Sequence, residues 1–112
     1  MSDIIPRTGN SSNIKRDFIL SSTTGAELVP AQGAGQKIRI TSLSAVATTA
    51  VSFSLASAAT AICSAKPLGA NGGFVLPHND YGWYETAANE ALNIVLGAAV
   101  AVAVDITYVV VA

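Results

Sequence analysis

The stretch VAVAVDITYVVV, residues 100–111, decides the fold, because its side chains alternate in character along the chain. A period of two residues places alternate side chains on opposite faces of a β-strand. One face is apolar throughout, while the other is mixed in its first half and apolar in its second. An exposed edge strand of this composition would aggregate. We therefore expect this strand in the centre of a sheet or at a subunit interface. The apolar face consists of Val102, Val104, Ile106, Tyr108 and Val110.

Two further stretches have the same period. In residues 36–46, Ile38 and Ile40 alternate with polar side chains that include Thr41. Residues 49–57 alternate in the same way. Because only two residues separate these strands, we expect them to form a hairpin.

Shorter strand-like runs lie between turn residues in the rest of the chain. No stretch of about 11 residues has the 3.6-residue period and caps of a helix. About eight strands with turns between them are typical of a sandwich or barrel. We predict an all-β fold, a β-sandwich of about eight antiparallel strands that resembles a jelly roll. The shorter runs are residues 17–21, 26–30, 60–64, 74–77, 83–86 and 91–96.

The first residues differ in character from the rest. Residues 1–16 are polar, contain proline and glycine, and have no periodicity. Such a segment cannot bury enough apolar area to order itself. We predict an extended N-terminal arm over residues 1–16 that lies on a neighbouring subunit or on a shell beneath, and a single β-sandwich domain over residues 17–112. Basic side chains at Arg7, Lys15 and Arg16 would then contact an acidic partner surface.

Charged residues are scarce. The chain has 112 residues, of which 51% are hydrophobic and 12% charged, whereas a typical soluble domain has about 25% charged residues. We infer that partners cover much of the outer surface. A homotrimer would bury apolar second faces without forming open fibres. The net charge of −1 argues against binding of nucleic acid, which needs a clustered basic face.

The apolar tail is long enough to cross a bilayer, but its composition argues against it. Residues 92–112 include Asn93 and Asp105, and Gly97 interrupts them. A carboxylate at the centre of a bilayer costs about 2.5–3.5 kcal/mol. We therefore expect no membrane partner.

No group of residues has the composition of an active site. His78 is the only histidine, and with Asp80 it would supply only two metal ligands. Catalytic triads and zinc sites need more partners than that. Glu85 and Glu90 are more typical of solvated loop charges than of a glycosidase pair. We predict no enzyme, no catalytic residue, no metal and no cofactor, and we expect Cys63 to be a small buried side chain.

Aromatic residues cluster once, at Tyr81, Trp83 and Tyr84. Exposed aromatic side chains are frequent interface anchors, so one interpretation is a platform that binds a sugar or a protein partner. The other is that Trp83 fills one end of a core that has only three phenylalanines. Burial of the cluster would exclude the first interpretation.

The segment ANGGFVLPHNDYGWYETAANEALNIVL, residues 70–96, resembles a pattern in small virion proteins of tailed bacteriophages. These include capsid decoration, or cement, proteins and head-fibre components. The resemblance extends from about Lys37 to the C-terminus, and its most specific parts are residues 72–74, 82–83 and 90–94. Relatives often have glycine in place of Asn89, and asparagine tolerates the left-handed conformation of such a turn.

The resemblance implies a jelly-roll sandwich, commonly trimeric, without catalytic residues. We therefore expect a capsid decoration protein that binds the major capsid protein on the virion surface after synthesis in the host cytoplasm. The alternative is a fibre, tail or receptor-binding component of the same fold, with a carbohydrate-binding tip.

Overall fold

The structure, a computed structural model, describes residues 14–112, and every regular element in that range is a β-strand. The ten strands form two five-stranded antiparallel sheets. This confirms the predicted all-β sandwich. The strands are β1 Lys15–Ser21, β2 Glu27–Val29, β3 Lys37–Ala47, β4 Val51–Ser57, β5 Thr60–Ala61, β6 Lys66–Leu68, β7 Gly73–Leu76, β8 Tyr84–Glu85, β9 Leu92–Leu96 and β10 Val102–Val111.

The strand order is that of a jelly roll. The first sheet has the order β1-β10-β3-β7, with β8 also pairing with β3. The second sheet has the order β2-β9-β4-β5, with β6 also pairing with β4. Strands of the first half of the chain thus pair in reverse order with strands of the second half: β1 with β10, β2 with β9, β3 with β7 and β8, and β4 with β5 and β6. This is an antiparallel ribbon rolled into two layers.

The core lies between the two sheets. Alternate residues of β3, β4, β9 and β10 point inward and are almost fully buried. Phe53 is the largest fully buried side chain, and its ring lies 5.9 Å from that of Phe74 in a tilted arrangement. Complete burial of such a side chain contributes about 1.5–3 kcal/mol. Val102, Val104, Ile106 and Tyr108 are buried as predicted, and β10 lies between β1 and β3 inside its sheet.

A β-bulge changes the inward face of β3. The register between β10 and β3 shifts so that Thr107 pairs with Ser42 and Tyr108 pairs with Ile40. Thr41 is left without a cross-strand partner and is buried, with its hydroxyl 2.8 Å from that of Thr107. The expectation that Thr41 points to the polar side was wrong, because an extra residue in one strand breaks the two-residue period.

The predicted hairpin of β3 and β4 was also wrong. The two strands are close in sequence but belong to different sheets. The link between Ala47 and Val51 carries the chain from one layer to the other. At its start, Ala47 donates its backbone N–H to the carbonyl oxygen of Gly72 at 2.8 Å. A short link is compatible with a hairpin and with a crossing between layers, and side-chain alternation alone does not distinguish them.

The first strand begins earlier than expected. β1 starts at Lys15, so Lys15 and Arg16 pair with β10 instead of belonging to the arm. Ile14 is the first described residue, and the rest of the predicted arm, residues 1–13 with Arg7, lies outside the described residues. In β1 the two basic residues are adjacent at the start of a strand at the edge of the first sheet. Charged residues on an edge strand limit unwanted pairing.

Strand β6 was not predicted, and Pro67 at its centre lacks the backbone donor that a central strand would need. Asn89 has a φ of 56°, in the left-handed region expected for it. Within residues 14–112 the structure has no helix of the length and apolarity that crossing a membrane requires.

Candidate partner-binding surfaces

The outer surface of the first sheet is the most apolar exposed region of the described chain. We call it the open face. Cross-strand pairing aligns its residues in rows that run from β1 through β10 and β3 to β7. The first row is Leu20, Ala103, Val46 and Gly73, the second is Phe18, Asp105, Ser44 and Val75, and the third is Arg16, Thr107 and Ser42.

The exposure of the large side chains on the open face is high. Phe18 is 77% exposed, Val75 70%, Leu20 69% and Val46 50%. These four are most of the large apolar side chains that are exposed in residues 14–112. Scattered exposed apolar residues need no explanation, but a contiguous patch on a small protein commonly marks an interaction site.

A shallow groove of about 430 Å³ crosses the polar part of the open face. Arg16, Asp105 and Thr107 lie in it, together with apolar Phe18 and Val75. No ion pair within 4 Å involves Arg16 or Asp105 among residues 14–112. Within the described range, the groove therefore offers Arg16 and Asp105, neither of them in an ion pair, beside apolar side chains, a composition that suits contact with another protein.

The open face was only partly predictable. The mixed outer face of β10 indicated that another strand or subunit covers it. The sequence did not identify Phe18, Leu20, Val46 and Val75 as exposed residues of this surface. The signal lies in the run Phe18-Ile19-Leu20, because alternate residues of a strand lie on opposite faces and three successive apolar residues leave at least one of them outside. Periodicity cannot tell which one, since both faces of that strand are apolar.

The predicted basic contact residues lie at the edge of the first sheet. Lys15 is exposed and pairs with Tyr108, while Arg16 is exposed in the third row of the open face. Burial, and secondarily the charge of Asp17, raises the pKa of Tyr108 above 10.0. Arg7 lies outside the described residues. The other two predicted contact residues, Lys15 and Arg16, both lie in β1.

The predicted aromatic cluster is divided between the surface and the interior. Tyr81 is 89% exposed and Trp83 is 39% exposed. Tyr84, in β8, packs against the core. Trp83 does not belong to the core, so the interpretation that it fills one end of the sandwich was wrong. The interior uses Phe53 and Phe74 instead.

The loop that carries Tyr81 and Trp83, residues 77–83, is fastened to the first sheet at several points; we call it the aromatic loop. Asn79 and Trp83 donate their backbone N–H groups to Thr41 and Ile40 of β3 at 2.9 and 2.8 Å. The indole Nε1 donates to the carbonyl oxygen of Pro77 at 2.7 Å. The indole N–H is thus already used, and only the face and edge of the ring remain for a ligand.

Gly82 is required in the aromatic loop. Its φ is 81°, and a Cβ there would lie 2.4 Å from Cγ of Arg39. Both the left-handed conformation and the close approach favour glycine. Gly82 thereby allows the tight turn between the two exposed aromatic residues.

The polar residues considered as chemical groups have local structural partners. His78 Nε2 lies 2.7 Å from Asp80 Oδ1 on the surface. Glu85 accepts a hydrogen bond of 3.0 Å from Arg39 Nε, and Ser57 Oγ donates to Glu90 at 2.5 Å. Each of the two glutamates thus has its own partner. No three His, Cys, Asp or Glu side chains are grouped as metal ligands within the described part of the chain.

Cys63 is half-buried and follows β5, where a fully buried strand residue was expected. Its Sγ accepts the backbone N–H of Leu55 at 3.3 Å. Ile62 donates to the carbonyl oxygen of the same residue at 3.0 Å. The chain at Ile62 and Cys63 is therefore fastened to strand β4 of the second sheet.

Comparisons with known proteins give no relative. No family model matches the chain, and neither a curated protein nor a solved structure matches it.

Proposed function

We propose that this protein is a structural component of a virion that decorates the capsid, binding the assembled shell and associating with copies of itself. The observation that carries the proposal is the open face, where Phe18, Leu20, Val46 and Val75 are exposed together on one side of one sheet. A jelly roll holds this surface rigid, so little conformational entropy is lost when it binds. The resemblance of residues 70–96 to phage virion proteins supplies the capsid as the expected partner.

Decoration by such a protein depends on many weak contacts. Each copy need contribute only modest binding energy, because linked copies gain affinity through avidity. A protein that binds the assembled shell and not its separated subunits stabilises the shell by mass action. This role needs neither a cleft nor a proton donor. The local pairing of His78, Glu85 and Glu90 is compatible with it.

The direct test is to mix the purified protein with preassembled capsid shells that lack it and to image them by electron microscopy. We expect density at repeated positions over the shell lattice. As a matched pair of variants, Phe18→Ser changes the open face and Tyr81→Ser changes the aromatic loop. We expect the first to reduce shell binding and the second to preserve it. Density at one vertex or on the tail alone would refute decoration.

The arm has its own test. We expect deletion of residues 1–13 to leave the fold intact, because β1 begins after it at Lys15. We also expect the deletion to weaken assembly, if the arm lies on a neighbour as predicted. Circular dichroism measures the first property and shell sedimentation the second. A truncated chain that fails to fold would show that the arm is part of the core.

A second candidate is a receptor-binding fibre or tail component that recognises carbohydrate. It is favoured by the exposure of Tyr81 and Trp83 on a loop fastened to β3. Aromatic rings can stack on the apolar face of a sugar ring. Trp83 is the only tryptophan, so its fluorescence reports binding directly. A titration with host-cell surface polysaccharide should change that fluorescence in the native protein and much less in Tyr81→Ala.

A further inference from the structure

The open face is complementary to itself, and from this we infer that it binds the open face of a second copy across a two-fold axis. The inference deepens the proposed self-association by naming the surface and the number of copies. It points to two copies, where the sequence predicts three.

A two-fold axis that runs parallel to the strands between β10 and β3 reverses the strand order β1-β10-β3-β7. In a face-to-face pair, β1 then lies over β7 of the second copy, and β10 lies over β3. Strand directions stay aligned, as in ordinary sheet-on-sheet packing, where the layers are about 10 Å apart. Every contact occurs twice, which is the property of an isologous interface.

The first row of the open face pairs large side chains with small ones under this operation. Leu20 lies opposite Gly73 of the second copy, and Val46 lies opposite Ala103. Gly73 has no side chain, so the 69% exposed Leu20 can enter the space over it. Alternation of large and small residues across facing positions is what close packing of two layers requires.

In the second row, apolar side chains lie opposite apolar ones and polar side chains lie opposite polar ones. Phe18 lies opposite Val75 of the second copy, and these are the two most exposed large apolar side chains of the open face. Asp105 lies opposite Ser44, whose hydroxyl can donate a hydrogen bond to the carboxylate. Neither charge nor apolar area is therefore left facing an unsuitable group in the centre of the contact.

The size of the open face predicts a reversible dimer. Three strands with about seven residues each and the four residues of β7, at about 4.8 Å between strands and about 3.4 Å per residue, give a footprint of about 400 Å² per copy. Two copies thus cover about 800 Å² of flat area, and side-chain relief raises the accessible area above that. Specific interfaces begin at about 1,000 Å² in total. We expect dissociation in the micromolar range and a dimer that depends on concentration.

The second sheet does not offer an alternative surface of this kind. Its outward positions hold small or polar side chains such as Ser52, Ser54, Ala56 and Asn93, and Ser54 and Ala56 are already buried. The described exposed large apolar residues outside the open face are Tyr81 and Trp83 of the aromatic loop. Self-association through apolar contact is therefore expected at the open face.

The register can be tested by exchange of charge. Phe18 and Val75 belong to strands at opposite edges of one sheet path, so they can meet only between copies. We expect Phe18→Arg alone to raise the dimer dissociation constant at least about tenfold, because it replaces a large apolar contact with a charge that faces Val75 of the second copy. Val75→Glu alone should do the same. The double variant F18R/V75E should restore the dimer, because it places opposite charges against each other twice.

Analytical ultracentrifugation of the full chain over a range of concentrations measures these constants, with Tyr81→Arg as a control that adds the same charge outside the open face. Circular dichroism checks that each variant folds. If a charged variant does not fold, Phe18→Ser and Val75→Ser test dissociation without a new charge. A native trimer, a native protein that stays monomeric at high concentration, or a double variant that remains dissociated would overturn the inference.

Failure of this inference is separable from failure of the proposed function. A monomer that still decorates shells would refute the two-fold contact and leave capsid decoration standing. A dimer that follows the charge-exchange pattern but binds no shell would support the contact and refute decoration.

Discussion

The two sheets have similar inner faces and very different outer faces. Both contribute alternating, fully buried residues to one core. On the outside, the first sheet exposes Phe18, Leu20, Val46 and Val75, whereas the second has small side chains at Ser54 and Ala56 that are buried. The first sheet thus has large apolar side chains on both sides and the second on its inner side. Stability of the single copy explains only the inner faces, so the outer apolar face of the first sheet must have another use.

The comparison predicts that the same residue type has opposite importance on the two sides. Phe53→Ala should lower the free energy of unfolding by about 3–5 kcal/mol, because it leaves a cavity in the core. Phe18→Ala should change it by less than about 0.5 kcal/mol in the monomer, since its side chain is 77% exposed. Urea denaturation at low protein concentration measures both. Equal losses would show that the open face is part of the fold.

Two serines provide a matched pair on the two outer faces. Ser54 of β4 is 7% exposed, while Ser44 of β3 is half-buried beside Asp105. Ser54→Lys should cost about 3 kcal/mol, because it places an unpaired charge where water is excluded. Ser44→Lys should be nearly neutral for folding, since the new charge reaches solvent and a carboxylate. Thermal unfolding compares them, and a neutral Ser54→Lys would mean that the second sheet is as open as the first.

At Gly73 the backbone of β7 lies very close to the backbone of β3. A Cβ at Gly73 would lie 1.9 Å from the carbonyl oxygen of Ala45, whereas a Cβ at Gly69 would meet nothing within 4 Å. Gly73→Ala should therefore lower stability by about 1–3 kcal/mol through displacement of β7 from β3. Gly69→Ala is the control and should change it little. Chemical denaturation of both variants checks the difference, and equal stability would show that β7 can move away without cost.

The smallest expected effect concerns Tyr108, on the inner side of β10. Burial and then Asp17 raise its pKa above 10.0, so the folded state holds the phenol proton more tightly than the unfolded chain. This contribution to stability is complete below pH 10 and is lost as the pH rises through the folded pKa. Unfolding free energies measured above pH 10 should fall more steeply for the native protein than for Tyr108→Phe.

Asp17→Asn sharpens the same measurement. It removes the charge that opposes the phenolate, so the pKa of Tyr108 should move part of the way back towards 10.0 and the decline should become smaller. Phenolate absorbance of the folded protein gives the pKa directly, with Tyr108→Phe to identify its signal. No change in Asp17→Asn would mean that burial alone raises the pKa.

Side-chain periodicity predicted the class of the fold because it reports which residues are buried. In β10, β9 and β4 the apolar positions of the period are buried. It failed where geometry depends on distant partners. The bulge at Thr41 depends on the register of β10, and the crossing after Ala47 depends on a second layer. Strand β6 contains Pro67, which lacks a backbone N–H. An edge strand tolerates the missing donor, whereas a central strand does not.

The candidate surfaces were predictable to a smaller extent. Low charge indicated that something covers the surface, but not which side. The aromatic residues near position 83 were visible as a cluster, yet Tyr84 points inward while Tyr81 points outward. That division arises from the turn at Gly82 and the hydrogen bonds of the loop to β3, neither of which leaves a pattern in composition.

The rolled topology also governs how the molecule is made. Strand β10 pairs with both β1 and β3, yet it is the last of the ten strands to leave a ribosome. Until then β1 has no partner in the first sheet, and β3 can pair only with β7 and β8. Folding dominated by such distant pairings is slow, in the millisecond-to-second range. Yield during synthesis should therefore depend strongly on chaperones that shield nascent β1 and β3, even though the finished sandwich is small.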